Sequence, residues 1–155
     1  MFWHVLSLLA LAAWFGGGII AGFVAPQAAF SILADRQLAG SIAGRVLGTY
    51  TTIEIVAASV YCLSWVAGIL SSRTFHKAAL ILVILALVMV LYGHFVVDPK
   101  ISTLREQIRA GGETPVLKGE FGALHRASVI LFGIEWLLVG CALVVHIISM
   151  AGRSR

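Results

Sequence analysis

The sequence predicts an all-α integral membrane protein: a bundle of four transmembrane helices, with a short interfacial helix between the third and the fourth. Hydrophobic residues make up 60% of the 155-residue chain and charged residues only 12%, whereas soluble proteins have about 45–50% and about 25%. A soluble domain of this length has too little interior to hide so much apolar surface. The apolar residues also gather in four runs, each long enough to cross a bilayer as a helix.

The four runs define the expected spans, and we treat the whole chain, residues 1–155, as one domain. The first run carries no charge and is about twice as long as the apolar core of a secretory signal, so we expect a span rather than a signal. Backbone polar groups in lipid must be satisfied within the spanning structure, which favours helices packed as a bundle. The predicted spans are residues 2–30, 46–70, 78–97 and 125–150.

The connections between the spans are unequal, and the third carries most of the charge. Within it, Ile101, Leu104 and Ile108 recur at helical spacing, which predicts an amphipathic helix at the membrane surface, ended by Gly111 and Gly112. Lys and Arg number four on the side of the chain termini and seven on the side of the first and third connections. This excess places the first and third connections in the cytoplasm. We expect an integral protein of a bacterial inner membrane.

Glycines recur every fourth residue in two stretches of the chain. Such spacing puts small residues on one helix face, so that two backbones can approach closely. The contact is either packing within the bundle or an interface between copies of the chain in a homo-oligomer. The glycines are Gly18 and Gly22 in the first span, and Gly40, Gly44 and Gly48 around the start of the second.

Acidic residues inside two of the spans are the most informative feature. Glu54 and Glu135 each lie about eight residues into the second and fourth spans, which run parallel, so both lie roughly 12 Å deep on the same side. His125 opens the fourth span on that side, and His94 and Asp98 close the third. Ionisable residues in the membrane interior are functional hypotheses by default. We therefore predict a polar pocket that opens toward the first and third connections.

Carboxylate and imidazole groups suit divalent cations or protons. The predicted metal ligands are Glu54, Glu135 and His125. The sequence does not identify a cofactor; a divalent metal is one candidate, ahead of haem. Cys62 and Cys141, deeper on the same two helices, would add soft ligands if they face inward. The remaining histidines lie near the opposite surface and are expected to be interfacial; they are His4, His76 and His146.

Three classes of function remain open. The first is a small membrane protein that binds or transports a metal cation or is coupled to protons. The second is a structural or assembly protein without pocket chemistry, and the third is a haem-binding redox protein with paired histidines at either end of the bundle. No nucleophile–base motif or phosphate loop predicts an enzyme. The basic residues form no large face, so membrane lipids are the expected partners and nucleic acid is not.

Four stretches of the chain resemble, in order, the four-helix family of transmembrane protein 205: "HVLSLLALAAWFGGGIIAGFVAPQAAF", "AGSIAGRVLGTY", "DPK" and "FGALHRASVILF". That family includes bacterial members described as a domain of unknown function. The resemblance implies a four-span membrane protein without a settled activity. The link of the animal member to cisplatin resistance implies the handling of platinum or soft-metal species, or vesicular export. The recurring motif positions, which do not include His94, are His4, Trp14, Pro26, Gly44, Asp98, Pro99, Phe121, His125 and Ser128.

Overall fold

The computed structural model describes residues 2–70, 77–112 and 114–151, which are helical apart from short connections. Two of the four long helices contain a π-helical segment, Ile20–Val24 in the first and Gly93–Val97 in the third. The α-helices are α1 (Phe2–Ile19), α2 (Ala25–Ile32), α3 (Arg36–Leu70), α4 (Lys77–Tyr92), α5 (Asp98–Gly111) and α6 (Pro115–Ala151). From the sequence, the connection "SSRTFHK" (residues 71–77) between the second and third spans is expected to be a tight turn; it lies outside the described residues, except for its final Lys77.

Four continuous helices are long and apolar enough to cross a membrane, which confirms the predicted number of spans. They are Phe2–Ile32, Arg36–Leu70, Lys77–Gly111 and Pro115–Ala151. The chain reverses direction after each helix, so α3 and α6 are parallel. We call the end of the bundle where α1 begins the α1 end. We call the opposite end, where α5 packs along the start of α6, the hairpin end.

The helix α3 begins at Arg36, well before the predicted start of the second span at residue 46. Asp35 explains this early start, because its Oδ1 atom accepts hydrogen bonds from the backbone N–H groups of Gln37 at 2.8 Å and Leu38 at 3.1 Å. Such a cap satisfies amides that have no partner within the first helical turn. Hydropathy marks the apolar part of the helix, whereas the cap marks its true beginning.

The predicted interfacial helix is helical, but a separate helix at this position is not confirmed. The segment belongs to α5, which continues α4 through the π-helical segment. Its apolar residues Ile101, Leu104 and Ile108 are half-buried, and α5 contacts α6. The apolar face therefore lies on a neighbouring helix.

Both π-helical segments end just before a proline. In each segment the closing hydrogen bond spans five residues, from Ala25 N to Ile20 O and from Asp98 N to Gly93 O. Proline has no N–H, and its ring would clash with the carbonyl group four residues earlier in a regular α-helix. The wider turn lets Pro26 and Pro99 sit in a continuous helix, with each proline at the start of the α-helix that follows.

The bundle interior is formed mainly by α1, α3, α4 and α6. The fully buried large side chains include Leu11, Trp14, Tyr61, Val83 and Val139. Many large apolar side chains are instead exposed on the outside of the bundle. This is the inverse of a soluble protein's surface and matches the pattern expected where lipid surrounds the helices.

Gly18 and Gly22 lie where α1 and its π-helical extension approach α6. A Cβ atom at Gly18 would lie 2.8 Å from Cδ1 of Trp136, and one at Gly22 would overlap the ring of Phe132. At these two predicted packing glycines, the missing side chain is therefore what allows a large aromatic ring to pack against the helix.

The second glycine stretch differs from the predicted close helix contact. The nearest atom to a Cβ at Gly40 would be Cζ of Phe30 at 3.8 Å, and nothing lies within 4 Å at Gly48. At Gly44 the nearest atom is Nη1 of Arg105, at 3.3 Å. Side chains, rather than another helix backbone, therefore lie nearest to this stretch within one chain. A homo-oligomer interface here stays a prediction.

Candidate functional site

The structure brings Glu54 of α3 and Glu135 of α6 together in the interior. Only 3% of Glu54 and 5% of Glu135 is exposed, and the two carboxyl groups are close enough for the charge of one to act on the other. The pairing follows from the parallel directions of α3 and α6 and the matched depth of the two residues. The two carboxylates that the sequence singles out thus form one site.

Two aromatic residues complete this site, and we call the group Trp14, Tyr50, Glu54 and Glu135 the acid site. The indole N–H of Trp14 donates to Oε1 of Glu135 at 2.8 Å. The Tyr50 hydroxyl donates to the backbone carbonyl of Trp14. Tyr50 lies one turn before Glu54 on the same face of α3, so α1 and α3 together fix the donor that points at Glu135.

The electrostatics of the acid site favour a single shared proton. Two carboxylates in a low-dielectric interior cannot both be ionised without a large electrostatic penalty. Glu135 has the Trp14 donor, whereas Oε1 of Glu54 is buried and has no hydrogen-bond donor among the described residues. No Lys or Arg belongs to the buried side chains of the described chain. The arrangement therefore fits an ionised Glu135 beside a protonated Glu54.

The other predicted pocket residues lie outside the acid site. His125 is exposed and its ring stacks on Phe121, with the ring centroids 6.0 Å apart. It shares a face of α6 with Glu135, but ten residues of helix separate them by about 15 Å along the axis. His94 and Asp98 form an exposed ion pair of 3.7 Å on successive turns. The structure does not bring these three residues to the carboxyl pair.

The described residues contain no group of three or more His, Cys, Asp and Glu side chains placed to hold a metal ion. Of the predicted metal ligands, only Glu54 and Glu135 lie together. The thiols of Cys62 and Cys141 are free, the first half-buried and the second exposed. Metal and haem binding by this chain therefore stay predictions.

A second polar cluster lies at the α1 end, where the sequence predicts interfacial histidines. That prediction is wrong for His4 and His146, which are buried, because α1 and α6 extend far enough to enclose them. Their ring centroids are 5.6 Å apart, and Nε2 of His146 lies 3.2 Å from the backbone carbonyl of His4. The Tyr61 ring contacts the His146 ring edge-on, with the ring centroids 5.9 Å apart. His76 lies outside the described residues.

Two buried serines, Ser7 and Ser64, lie at the same end of the bundle. We call His4, Ser7, Tyr61, Ser64 and His146 the hydroxyl cluster. Each of these side chains is at least nine-tenths buried. Sequence reasoning missed the cluster because its members, unlike Glu54 and Glu135, are not acidic residues and do not stand out within an apolar run. The helical spacing of His4 and Ser7, and of Tyr61 and Ser64, is the pattern that could have indicated it.

An apolar groove of about 360 Å³ leads from the hairpin end toward the acid site. It runs between the first helix and α3, with Arg45 toward the hairpin end and Tyr50 next to Glu54. Its lining residues are Gly17, Ile20, Ala21, Arg45, Val46, Thr49, Tyr50 and Ile53. Tyr50 therefore belongs both to the lining of this groove and to the acid site.

The four long helices and the buried carboxyl pair define a four-span membrane protein with ionisable groups in its interior. The chain belongs to the DUF4149 family, a domain of unknown function, whose model matches residues 9–110. No curated protein and no solved structure matches the chain. The matched region includes Trp14, Tyr50 and Glu54, whereas Glu135 on α6 lies beyond it. The resemblance to the transmembrane protein 205 family stays a prediction.

Proposed function

We propose that this protein binds and releases a proton inside the membrane through Glu54 and Glu135, and that this proton is coupled to the transport of a solute or cation. The observation that carries the proposal is the carboxyl pair itself, buried in the bundle and supplied with one fixed N–H donor. Two carboxyl groups that can hold one proton between them form a unit that takes up or releases charge without rearranging the helices.

A proton fits the acid site better than a metal ion does. Zinc takes four protein or water ligands, and calcium takes six to eight oxygen ligands. The other polar groups of the acid site do not suit a cation. The indole N–H of Trp14, which donates to Glu135, would repel it, and the Tyr50 hydroxyl already donates to a backbone carbonyl. The metal alternative is kept as an outcome of the experiment below.

A purely structural role is the competing hypothesis. A buried hydrogen-bonded pair can join helices, but replacing buried ionic groups by well-packed apolar residues is often neutral or stabilising. An assembly protein would therefore gain little from two carboxyl groups at this depth. We place the protein in the bacterial inner membrane, with the hairpin end in the cytoplasm, in line with the excess of Lys and Arg there.

Infrared spectroscopy of the protein reconstituted in lipid tests the proposal directly, because protonated and ionised carboxyl groups absorb separately. The wild type should show a protonated carboxyl group at neutral pH, and Glu54→Gln should lose it. Glu135→Gln should alter the absorption band of the protonated Glu54, because it removes the carboxylate that lies beside it. Glu106→Gln is the matched control, since Glu106 is an exposed residue of α5 and its replacement should leave the band unchanged.

Three results would overturn the proposal. If both carboxyl groups of the wild type are ionised at neutral pH without added metal, the pair holds no proton. If added Zn²⁺ binds stoichiometrically and Glu54→Gln abolishes that binding, the site is a metal site. A protonated band that persists with normal folding, but never changes across the accessible pH range, would indicate the structural role.

A further inference from the structure

The hydroxyl cluster contains three buried hydroxyl groups with no hydrogen-bond partner among the described residues. They belong to Ser7, Tyr61 and Ser64, all of which are fully buried. A buried hydroxyl group without a partner is unfavourable, because it loses its hydrogen bonds to water and gains none in return. Three such groups at the same end of the helices α1 and α3, which pack against each other, point to a polar occupant that bonds to them.

Water is the occupant that fits this chemistry. A buried water molecule needs two to four polar partners, and hydroxyl groups can both donate to it and accept from it. The imidazole of His146 packs against the Tyr61 ring, and its Nε2 atom lies 3.2 Å from the backbone carbonyl of His4, so the same end of the bundle holds further polar atoms. No carboxylate, Lys or Arg is buried with them in the described chain, so nothing calls for a charged ligand.

The hydroxyl cluster and the acid site lie on the same interior faces of α1 and α3. Trp14 follows Ser7 by seven residues, and Tyr61 follows Glu54 by seven residues, so about 10 Å of helix separates the two groups on each helix. Between them lies what we call the apolar layer, which consists of the buried residues Leu11, Ala57, Ala58 and Val139. The interior thus alternates along its length between polar, apolar and polar.

We propose that the hydroxyl cluster holds bound water and forms the proton path between the α1 end and the acid site, with the apolar layer as its slow step. This inference rests on the proposed proton-binding function. At the hairpin end, Tyr50 donates to the Trp14 carbonyl and an apolar groove adjoins it. The hydroxyl groups of Thr49 and Thr51 on that side donate to backbone carbonyls of their own helix, unlike those of the hydroxyl cluster.

The transfer balances at each member of the path. A hydroxyl group or water molecule accepts a proton on its oxygen from one neighbour and gives its own proton to the next, so no group keeps a net charge. The last transfers cross the apolar layer on water molecules that enter it transiently, and the water nearest the acid site gives its proton to the carboxylate of Glu135 or Glu54. Release runs through the same steps in reverse.

Hydrogen–deuterium exchange of the carboxyl proton measures this path without any transport assay. Reconstituted protein is mixed rapidly with D₂O, and the shift of the protonated carboxyl band is followed over time. Tyr61→Phe keeps the ring against His146 and removes only the hydroxyl, so exchange should slow by about tenfold or more. Tyr92→Phe is the control, because Tyr92 is exposed on α4, and it should exchange as the wild type does.

A second pair of variants tests the apolar layer in the opposite direction. Val139→Thr keeps the side-chain shape and places a hydroxyl within the layer, so exchange should be faster than in the wild type by about tenfold. Val144→Thr makes the same change on α6 at a residue that is 55% exposed, and it should have no effect. This pair remains informative even if Tyr61→Phe folds poorly.

The outcomes separate this inference from the proposed function. A wild type without any protonated carboxyl group overturns both. A protonated carboxyl group whose exchange is unchanged in Tyr61→Phe and in Val139→Thr overturns only the path, and leaves proton binding by the acid site intact. Slower exchange in Tyr61→Phe together with faster exchange in Val139→Thr supports the path.

Discussion

Gly18 is the position at which one added methyl group should disturb the acid site most directly. A Cβ atom there would lie 2.8 Å from Cδ1 of Trp136 and 3.1 Å from the Tyr50 hydroxyl oxygen. Trp136 donates to the backbone carbonyl of Phe15 at 3.0 Å, and Tyr50 donates to that of Trp14. Gly18→Ala must therefore displace one of these two rings and weaken its hydrogen bond.

The expected loss follows from three contributions to the free energy of unfolding. Overpacking costs about 1–3 kcal/mol, and one lost hydrogen bond about 0.5–1.5 kcal/mol. Alanine offsets about 1 kcal/mol of this, because it favours a helix more than glycine does. Gly18→Ala should therefore lower the unfolding free energy by roughly 0.5–3.5 kcal/mol. In Gly16→Ala, nothing lies within 4 Å of the added Cβ. This variant should therefore show only the increase in unfolding free energy that alanine gives over glycine in a helix.

The two alanine variants form a matched pair on one helix, measured by denaturant-induced unfolding in a single detergent and followed by tryptophan fluorescence. Gly16→Ala should be as stable as the wild type or more stable, and Gly18→Ala should be clearly less stable than both. Equal stability of Gly16→Ala and Gly18→Ala would refute the close packing of Trp136 and Tyr50 against α1.

Two further substitutions test the Trp14 hydrogen bond and the Asp35 cap by the same unfolding measurement. Trp14→Phe removes the 2.8 Å hydrogen bond to Glu135 and should lower the unfolding free energy by about 1.5–3 kcal/mol, as expected for a bond to a charged group. Trp3→Phe is the control and should lower it by less. An equal loss in the two variants would contradict the assigned bond. Asp35→Ala removes the cap of α3 and should cost about 0.5–2 kcal/mol. Asp98→Ala is the control, because it removes only an exposed side-chain contact with His94, and it should lower the unfolding free energy by at most about 1 kcal/mol. A larger loss of stability in Asp98→Ala than in Asp35→Ala would refute the capping role.

The carboxyl pair could be predicted from the sequence because only counting was needed. With four spans, the second and the fourth run parallel, and equal residue counts place Glu54 and Glu135 at equal depth. The partner Trp14 could not be found in this way. Its indole must turn toward α6, and a tryptophan in an apolar span gives no indication of which neighbour it meets.

Predictions that relied on a shared helix face alone were less successful. His125 and Glu135 share a face of α6, but a helix rises about 1.5 Å per residue, so residues ten positions apart on one face do not touch. His4 and His146 show the opposite case. Each lies near the end of an apolar run, where a histidine usually reaches the surface, but the long α1 and α6 pack together there and bury both.

Helix ends were the least predictable part of the fold. Hydropathy reports where lipid begins and not where a helix stops, so the polar starts of α3 and α6 and the continuation of α4 into α5 were not indicated. The Asp35 cap was a pattern available in the sequence. A proline ordinarily interrupts a helix, and nothing in the sequence showed that a wider turn would carry each helix through Pro26 and Pro99.

The two π-helical segments divide the bundle into two kinds of helix. The carboxyl groups stand on α3 and α6, which run 35 and 37 residues without interruption, whereas the wider turns occur only in the other two long helices. A π turn holds one residue more than an α turn, so moving it along a helix rotates the intervening side chains by about 100° while the helix stays intact. The carboxyl pair thus lies on two uninterrupted α-helices, and the two helices packed against them contain the wider turns at which such a rotation would begin.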